Sequence, residues 1–301
     1  SSFHTPRIPL QKAGHASIVH THTDEWFLVH LTGRPLPREG QPLLDPRGFC
    51  PLGRETAIQR LEWKNDWPYV VGGNHPSLEI EGPSIEEVKW ESDYPEKDDF
   101  NSEVLNMNFQ NLRIPLGENV VSLKNHPGHL RLYGKESLTS KFTQAFVARR
   151  WQHFNFTAET KVAFHPSSFH QSAGLVNYYN TQNWTSCQIT WNERKGRILE
   201  LVSCDNFTFD QPIQGNEIVI PEHVEYVYLR VDVKTNSYHY SYSFDGENWT
   251  VIPVTFYSYK LSDDYIRGGG FFTGAFVGMQ CQDTTGQNLH ADFDYFVYKN
   301  E

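Results

Sequence analysis

The feature that most limits the fold is a two-residue alternation of apolar and polar side chains, repeated in short runs along the chain. It is visible in Gln144–Trp151, Thr157–Phe164, Ser172–Tyr179, Thr185–Trp191, Arg197–Ser203 and Glu225–Val233. A period of two sends successive side chains to opposite faces of an extended strand. No window sustains the 3.6-residue period of an amphipathic helix, so helices are expected to be scarce. Tyr238–Ile252 reads as a hairpin turning at Asp245-Gly246, a dipeptide suited to a tight turn. Many strands separated by turn residues predict an all-β chain with a two-sheet sandwich over 84–301. That span is large for an immunoglobulin-type unit and suits a lectin-like, concanavalin A-like jelly roll.

Residues 1–83 have a different texture. Strands are expected in Ala16–Leu31, Ala57–Trp63 and Trp67–Gly73. Between the first two lies a loop, Gly33–Gly53, with five prolines and four glycines; loops of that length are functional or disordered. A propeller blade takes about 40–50 residues and cannot bury its faces without neighbours. The segment fits one to two blades and does not read as a self-sufficient domain. The polar stretch Asp93–Asn101 is the expected linker.

Charge and cysteine usage exclude several functions. Lys and Arg number 26 against 36 Asp and Glu, a net charge of −10 with no basic cluster, which argues against a nucleic-acid partner. No apolar run approaches the roughly 18 residues of a membrane span, and no basic-then-apolar leader opens the chain. The four cysteines, Cys50, Cys187, Cys204 and Cys281, contain no C-x-x-C pair and are expected as buried free thiols. The sequons at Asn155, Asn183, Asn206 and Asn248 read as strand or turn chemistry. The first residue is Ser1, which points to a polypeptide that was processed, trimmed or cut from something longer.

Three strings in the first part, Leu10–Ser17, Trp26–Leu36 and Cys50–Gln59, resemble glycoside hydrolase family 43, closest to its β-xylosidase branch. In the second part Gly268–Asp283 and Ala291–Tyr298 resemble the C-terminal sandwich of the same enzymes. The likeness is collinear over essentially the whole chain. It places 1–83 at the end of a five-bladed catalytic propeller. The resemblance implies an inverting, exo-acting β-xylosidase, with α-L-arabinofuranosidase activity in some members, acting on short xylo-oligosaccharides. It further implies a bacterial cytoplasmic enzyme that forms homo-oligomers. Two carboxyl groups about 6.5–9.5 Å apart serve as base and acid in such a mechanism, and a third Asp tunes the acid. No segment here matches the motifs of those three acids. They are expected upstream, on an N-terminal propeller fragment that acts as partner, and this chain alone is expected to be inactive.

Site residues follow from the same likeness. Arg54 matches an arginine that reaches the sugar subsite, where a guanidinium donates paired hydrogen bonds to hydroxyls or a carboxylate. The alternative pairs it with neighbouring Glu55 on a solvated loop. His15 matches a histidine beneath the pocket which in some relatives helps hold calcium; the alternative is a histidine satisfied by backbone at a strand end. Calcium prefers oxygen ligands, and a cage of Asp98, Asp99, Asp292 and Asp294 is a second expectation for that ion. The glycine-rich run Gly268–Phe276 is the expected pocket-capping loop, with Phe272 and Phe276 as candidate ring walls and Phe271 behind them. Trp249 is expected beneath the Asp245-Gly246 turn. A free-standing carbohydrate-binding or oligomerisation module is the competing reading of the whole chain.

Overall fold

The computed structural model describes residues 8–42, 47–86, 95–268 and 272–301. The first part is one four-stranded antiparallel sheet in simple order, β1 (Gln11–His20), β2 (Trp26–Gly33), β3 (Glu55–Lys64) and β4 (Trp67–Val70). This is the meander of a single propeller blade, the lower end of the one-to-two expected. Two register breaks in β1, on either side of Gly14, give its first half a local twist.

Paired residues of an antiparallel sheet share a face, so the register assigns the blade's side chains. Ile18 pairs with Leu28, and Trp26 with Leu61, on one face; Trp63 follows two residues on. Val19 pairs with Phe27, and Val29 with Ile58, on the other. Both faces expose apolar groups: Ile18 (46%) and Trp63 (45%) on the first, Val19 (42%) and Ile58 (40%) on the second. A sheet with apolar side chains uncovered on both faces has the composition of an inner layer.

The second part begins with β5 (Lys97–Asp98), β6 (Val121–Ser122), β7 (Leu130–Tyr133), β8 (Ala145–Arg150), β9 (Asn155–Ala163) and β10 (Gln171–Asn180). It continues through β11 (Asn183–Asn192), β12 (Gly196–Asp205), β13 (Thr208–Asp210), β14 (Ile218–Val219) and β15 (Tyr226–Lys234). The chain ends with β16 (Ser237–Ser243), β17 (Thr250–Val251), β18 (Phe256–Tyr257), β19 (Phe276–Asp283) and β20 (His290–Asn300). A seven-stranded sheet runs β13-β12-β11-β10-β19-β8 with β14 beside β12. A nine-stranded sheet runs β17-β16-β15-β9-β20-β7-β6, with β18 on β16 and β5 on β20. Leu175, Ile189 and Leu201 of the first sheet meet Phe156, Val231 and Phe293 of the second in one core. Among the buried polar groups within it, Trp151 Nε1 donates to Asn177 Oδ1 at 3.1 Å, and the Tyr240 hydroxyl donates across the sheets to Thr185 O at 2.9 Å.

The Asp245 turn forms as expected, with Oδ1 accepting from the Glu247 and Asn248 amides, both at 2.8 Å. The ring beneath Gly246 is Tyr228, however. Trp249 instead lies against the Arg230 guanidinium, 3.6 Å from its ring centroid, because a cation on the neighbouring strand offers the indole a better partner than a turn backbone.

Candidate active-site elements at the junction of blade and sandwich

The blade's Cys50–Arg54 string and the sandwich's 272–276 string lie over 200 residues apart in sequence and side by side in space. Ala275 N donates to Pro51 O at 2.7 Å, and Arg150 Nη2 to Leu52 O at 3.0 Å. Glycines permit this approach: a Cβ on Gly274 would lie 2.5 Å from Leu52 O, and one on Gly53 2.3 Å from Thr273 O.

Arg54 points across this seam. Its Nη2 donates to Asp263 Oδ2 at 3.0 Å and its Nη1 to Oδ1 at 3.4 Å, with side-chain exposures of 14% and 8%. Phe272 lies against the same guanidinium, 5.0 Å from ring centroid to Cζ. An aromatic contact of this kind contributes about 0.5–2 kcal/mol. Removing one partner of a buried ion pair costs about 3–5 kcal/mol, so Asp263 is the main tether and the ring the lesser one. Glu55 is not Arg54's partner. Strand alternation turns it away, and it accepts from Arg34 at 2.6 and 2.9 Å.

A second ion pair lies alongside. Lys12 binds Asp264 and stands 3.5 Å from Asp263 Oδ1. Asp264 also accepts from the Cys50 amide at 2.8 Å. Burial pushes the Asp264 carboxyl above its ordinary range, and the Lys12 ammonium opposes that. The enclosed neighbours are neutral: burial drives the Cys50 thiol up to about 12 and raises the Tyr179 phenol.

Phe272, at φ +51°, is 60% exposed, which leaves most of its ring open beside Arg54. Phe276 goes elsewhere; on β19 it packs with the Phe146, Val176, Tyr178 and Trp184 cluster of the seven-stranded sheet. Phe271 lies outside the described residues. His15 sits in the irregular part of β1 at φ +52° and is exposed. Its ring has no hydrogen-bond partner among the described residues, so the structure gives it no backbone tether.

The four-aspartate cage does not form. Asp292 accepts from Arg131 at 2.7 Å and faces His126 at 2.8 Å, while Asp294 pairs with Lys161. Asp98 and Asp99 cap the Phe100 and Asn101 amides. A bulge at Asp294 also interrupts the alternation that would put Asp292 and Asp294 on one face. Among the described residues no group of three or more His, Cys, Asp or Glu side chains is placed to hold a metal ion, and each of the four aspartates is engaged by other partners.

Of the residues singled out in the sequence, the structure brings Arg54 and Phe272 together; Lys12, Asp263, Asp264 and Tyr179 beside them were not singled out. Lys12 stood inside a motif string without a chemical signature of its own. The aspartates follow a short 3-10 turn, Ser258–Leu261, where no periodicity marks a side chain's direction.

Residues 97–299 match the β-xylosidase C-terminal concanavalin A-like domain, and residues 2–68 match glycosyl hydrolases family 43. The chain belongs to glycoside hydrolase family 43. This family 43 chain is 62% identical over 301 residues to the β-xylosidase of Bacillus subtilis strain 168, covering 100% of the chain and 56% of that protein. It is 39% identical over 292 residues to a xylan 1,3-β-xylosidase of a Vibrio species, covering 96% of the chain and 54% of the relative. The crystal structure of a xylan β-1,4-xylosidase from Bacillus halodurans C-125 superposes with a TM-score of 0.91 at 41% identity. That match covers 98% of this chain and 55% of the other. The chain thus spans about half the length of the relatives it matches. Its architecture is that of a propeller blade followed by a concanavalin A-like sandwich.

Proposed function

We propose that this chain supplies the closing blade and the pocket-capping sandwich of an inverting, exo-acting β-xylosidase that hydrolyses short xylo-oligosaccharides. The observation that carries this reading is the meeting of Arg54 and Phe272, from different domains, at the seam. A fixed guanidinium beside an open aromatic ring suits a sugar, whose hydroxyls accept hydrogen bonds and whose ring carbons cover apolar surface. The uncovered apolar faces of the blade support the companion proposal, that further blades pack on both sides.

In this reading the chain's own residues bind and orient. Arg54 donates to hydroxyls of the terminal sugar, and Phe272 walls the pocket against water. The base that activates water and the acid that protonates the leaving oxygen stand on the neighbouring blades, far enough apart to admit that water. The 301 residues alone are then without turnover.

Arg54→Ala in the full-length gene product tests the assignment. We expect kcat/KM on an aryl β-xyloside to fall about a hundredfold or more, the scale of losing a charged transition-state contact. Near-normal kinetics would refute it.

A further inference from the structure

We infer that Asp263, supplied by the sandwich, is the positioning residue that fixes the aim of Arg54 and balances the charge of the seam, so that sugar handling by the blade is set from the second domain. The inference rests on the function proposed above and goes beyond it.

The geometry is end-on. Two carboxylate oxygens face two different guanidinium nitrogens, at 3.0 and 3.4 Å, which fixes the plane of the group as well as its position. A guanidinium has five N–H bonds. Two are spent on Asp263, and the remaining three lie along the edges away from it, where no hydrogen-bond partner stands among the described residues. Phe272 covers the guanidinium beside them.

Asp263 is itself held. It lies on a strap, Lys260–Arg267, clamped near both ends by one hairpin. Lys260 Nζ and Tyr265 Oη donate to Asp205 Oδ2 at 2.7 and 3.0 Å, and Arg267 N donates to Asn206 Oδ1 at 2.9 Å. At its start, Ser262 Oγ donates back to Tyr259 O at 2.7 Å. A loosely solvated acid would need none of these restraints.

The two ion pairs also balance each other. Two blade cations, Lys12 and Arg54, face two sandwich anions, Asp263 and Asp264. Of the other groups near Arg54 among the described residues, the Cys50 thiol and the Tyr179 phenol are neutral in the working range, and Arg150, on Leu52 O, is a further cation that the Asp263 variants leave unchanged. Without Asp263, Lys12 and Arg54 would share Asp264 alone, and the seam would gain one positive charge. Added positive charge favours the ionised form of nearby carboxyl groups. A general acid in the pocket would therefore lose its proton at lower pH.

The experiment compares Asp263→Asn, Asp263→Glu and Arg54→Ala in the full-length enzyme on an aryl β-xyloside across pH. Asp263→Asn should lower kcat/KM about tenfold to a hundredfold through misplacement of Arg54. It should also move the alkaline limb of the profile toward acid by about half a unit or more. Asp263→Glu keeps the charge and should leave that limb in place while still losing rate. Should Asp263→Asn not fold, the Glu variant alone decides, since wild-type rates from it overturn the inference. Wild-type rates and an unmoved limb in Asp263→Asn, with Arg54→Ala crippled, overturn the positioning role and leave the proposed function intact. An unimpaired Arg54→Ala, or no xylosidase activity in the wild type, overturns the function itself.

Discussion

Gly53 and Thr273 are packed so closely that a Cβ on the glycine would lie 2.3 Å from the threonine carbonyl oxygen. Gly53 also has φ +74°, where a side chain costs about 1 kcal/mol. Gly53→Ala therefore has to push the 273–275 backbone away from the blade, and we expect about 2–4 kcal/mol of lost stability. Gly40 has a similar φ of +73° with nothing within 4 Å of its virtual Cβ, so Gly40→Ala should show the backbone cost alone. Melting temperatures of the two variants, taken together, separate the clash from the strain.

Glu55 tests the pairing from the other side. It belongs to Arg34, with side-chain exposures of 40% and 27% for Arg34 and Glu55, and exposed pairs contribute under about 1 kcal/mol. In the enzyme proposed above, Glu55→Gln should change kcat/KM less than about twofold. A loss as large as that of Arg54→Ala would mean that Glu55, not Asp263, holds the arginine.

All four cysteines are free and buried. Burial holds Cys50 at about 12 and Cys204 at about 11, and raises Cys187 and Cys281 as well. Since the thiolate is the reacting form, the native protein should show no fast-reacting thiol toward a chromogenic disulfide reagent. Four should appear on denaturation. A single rapid equivalent in the native state would place one cysteine at the surface.

Asp292 sets an acid-side stability term. Burial alone would raise its carboxyl, but hydrogen bonds from Arg131 and His126 outweigh that and hold it below its usual 3.8. A depressed native pKa means the stabilisation is present above the unfolded-state value and is lost as pH falls through the native one. Asp292→Asn should cost stability at pH 6, and the deficit should shrink once the pH drops below about 3.8. Urea midpoints at several pH values check the sign; a deficit that grows on acidification would reverse it.

Much of the architecture was legible because strand alternation is a local property. The runs at 157–164, 172–179 and 225–233 became β9, β10 and β15, each with one face in the core. Arg54 and Phe272 were legible only through motif likeness, since nothing in their local pattern marks them. The ion pairs of Arg54 with Asp263 and of Lys12 with Asp264 were not readable at all. They depend on how two domains dock, and a pairing of 209 residues' separation leaves no trace in a short window. The calcium cage failed for a related reason: the bulge at Asp294 and the cations on neighbouring strands are tertiary facts.

The measurement that bears most directly on the account is turnover of an aryl β-xyloside by the purified 301-residue chain, with and without a polypeptide carrying the remaining blades. The proposed incomplete ring predicts no turnover by the chain alone, and activity that appears on mixing as the exposed faces around Ile18, Trp63, Val19 and Ile58 become covered. Turnover by the chain alone at the rate of the full-length enzyme would contradict it.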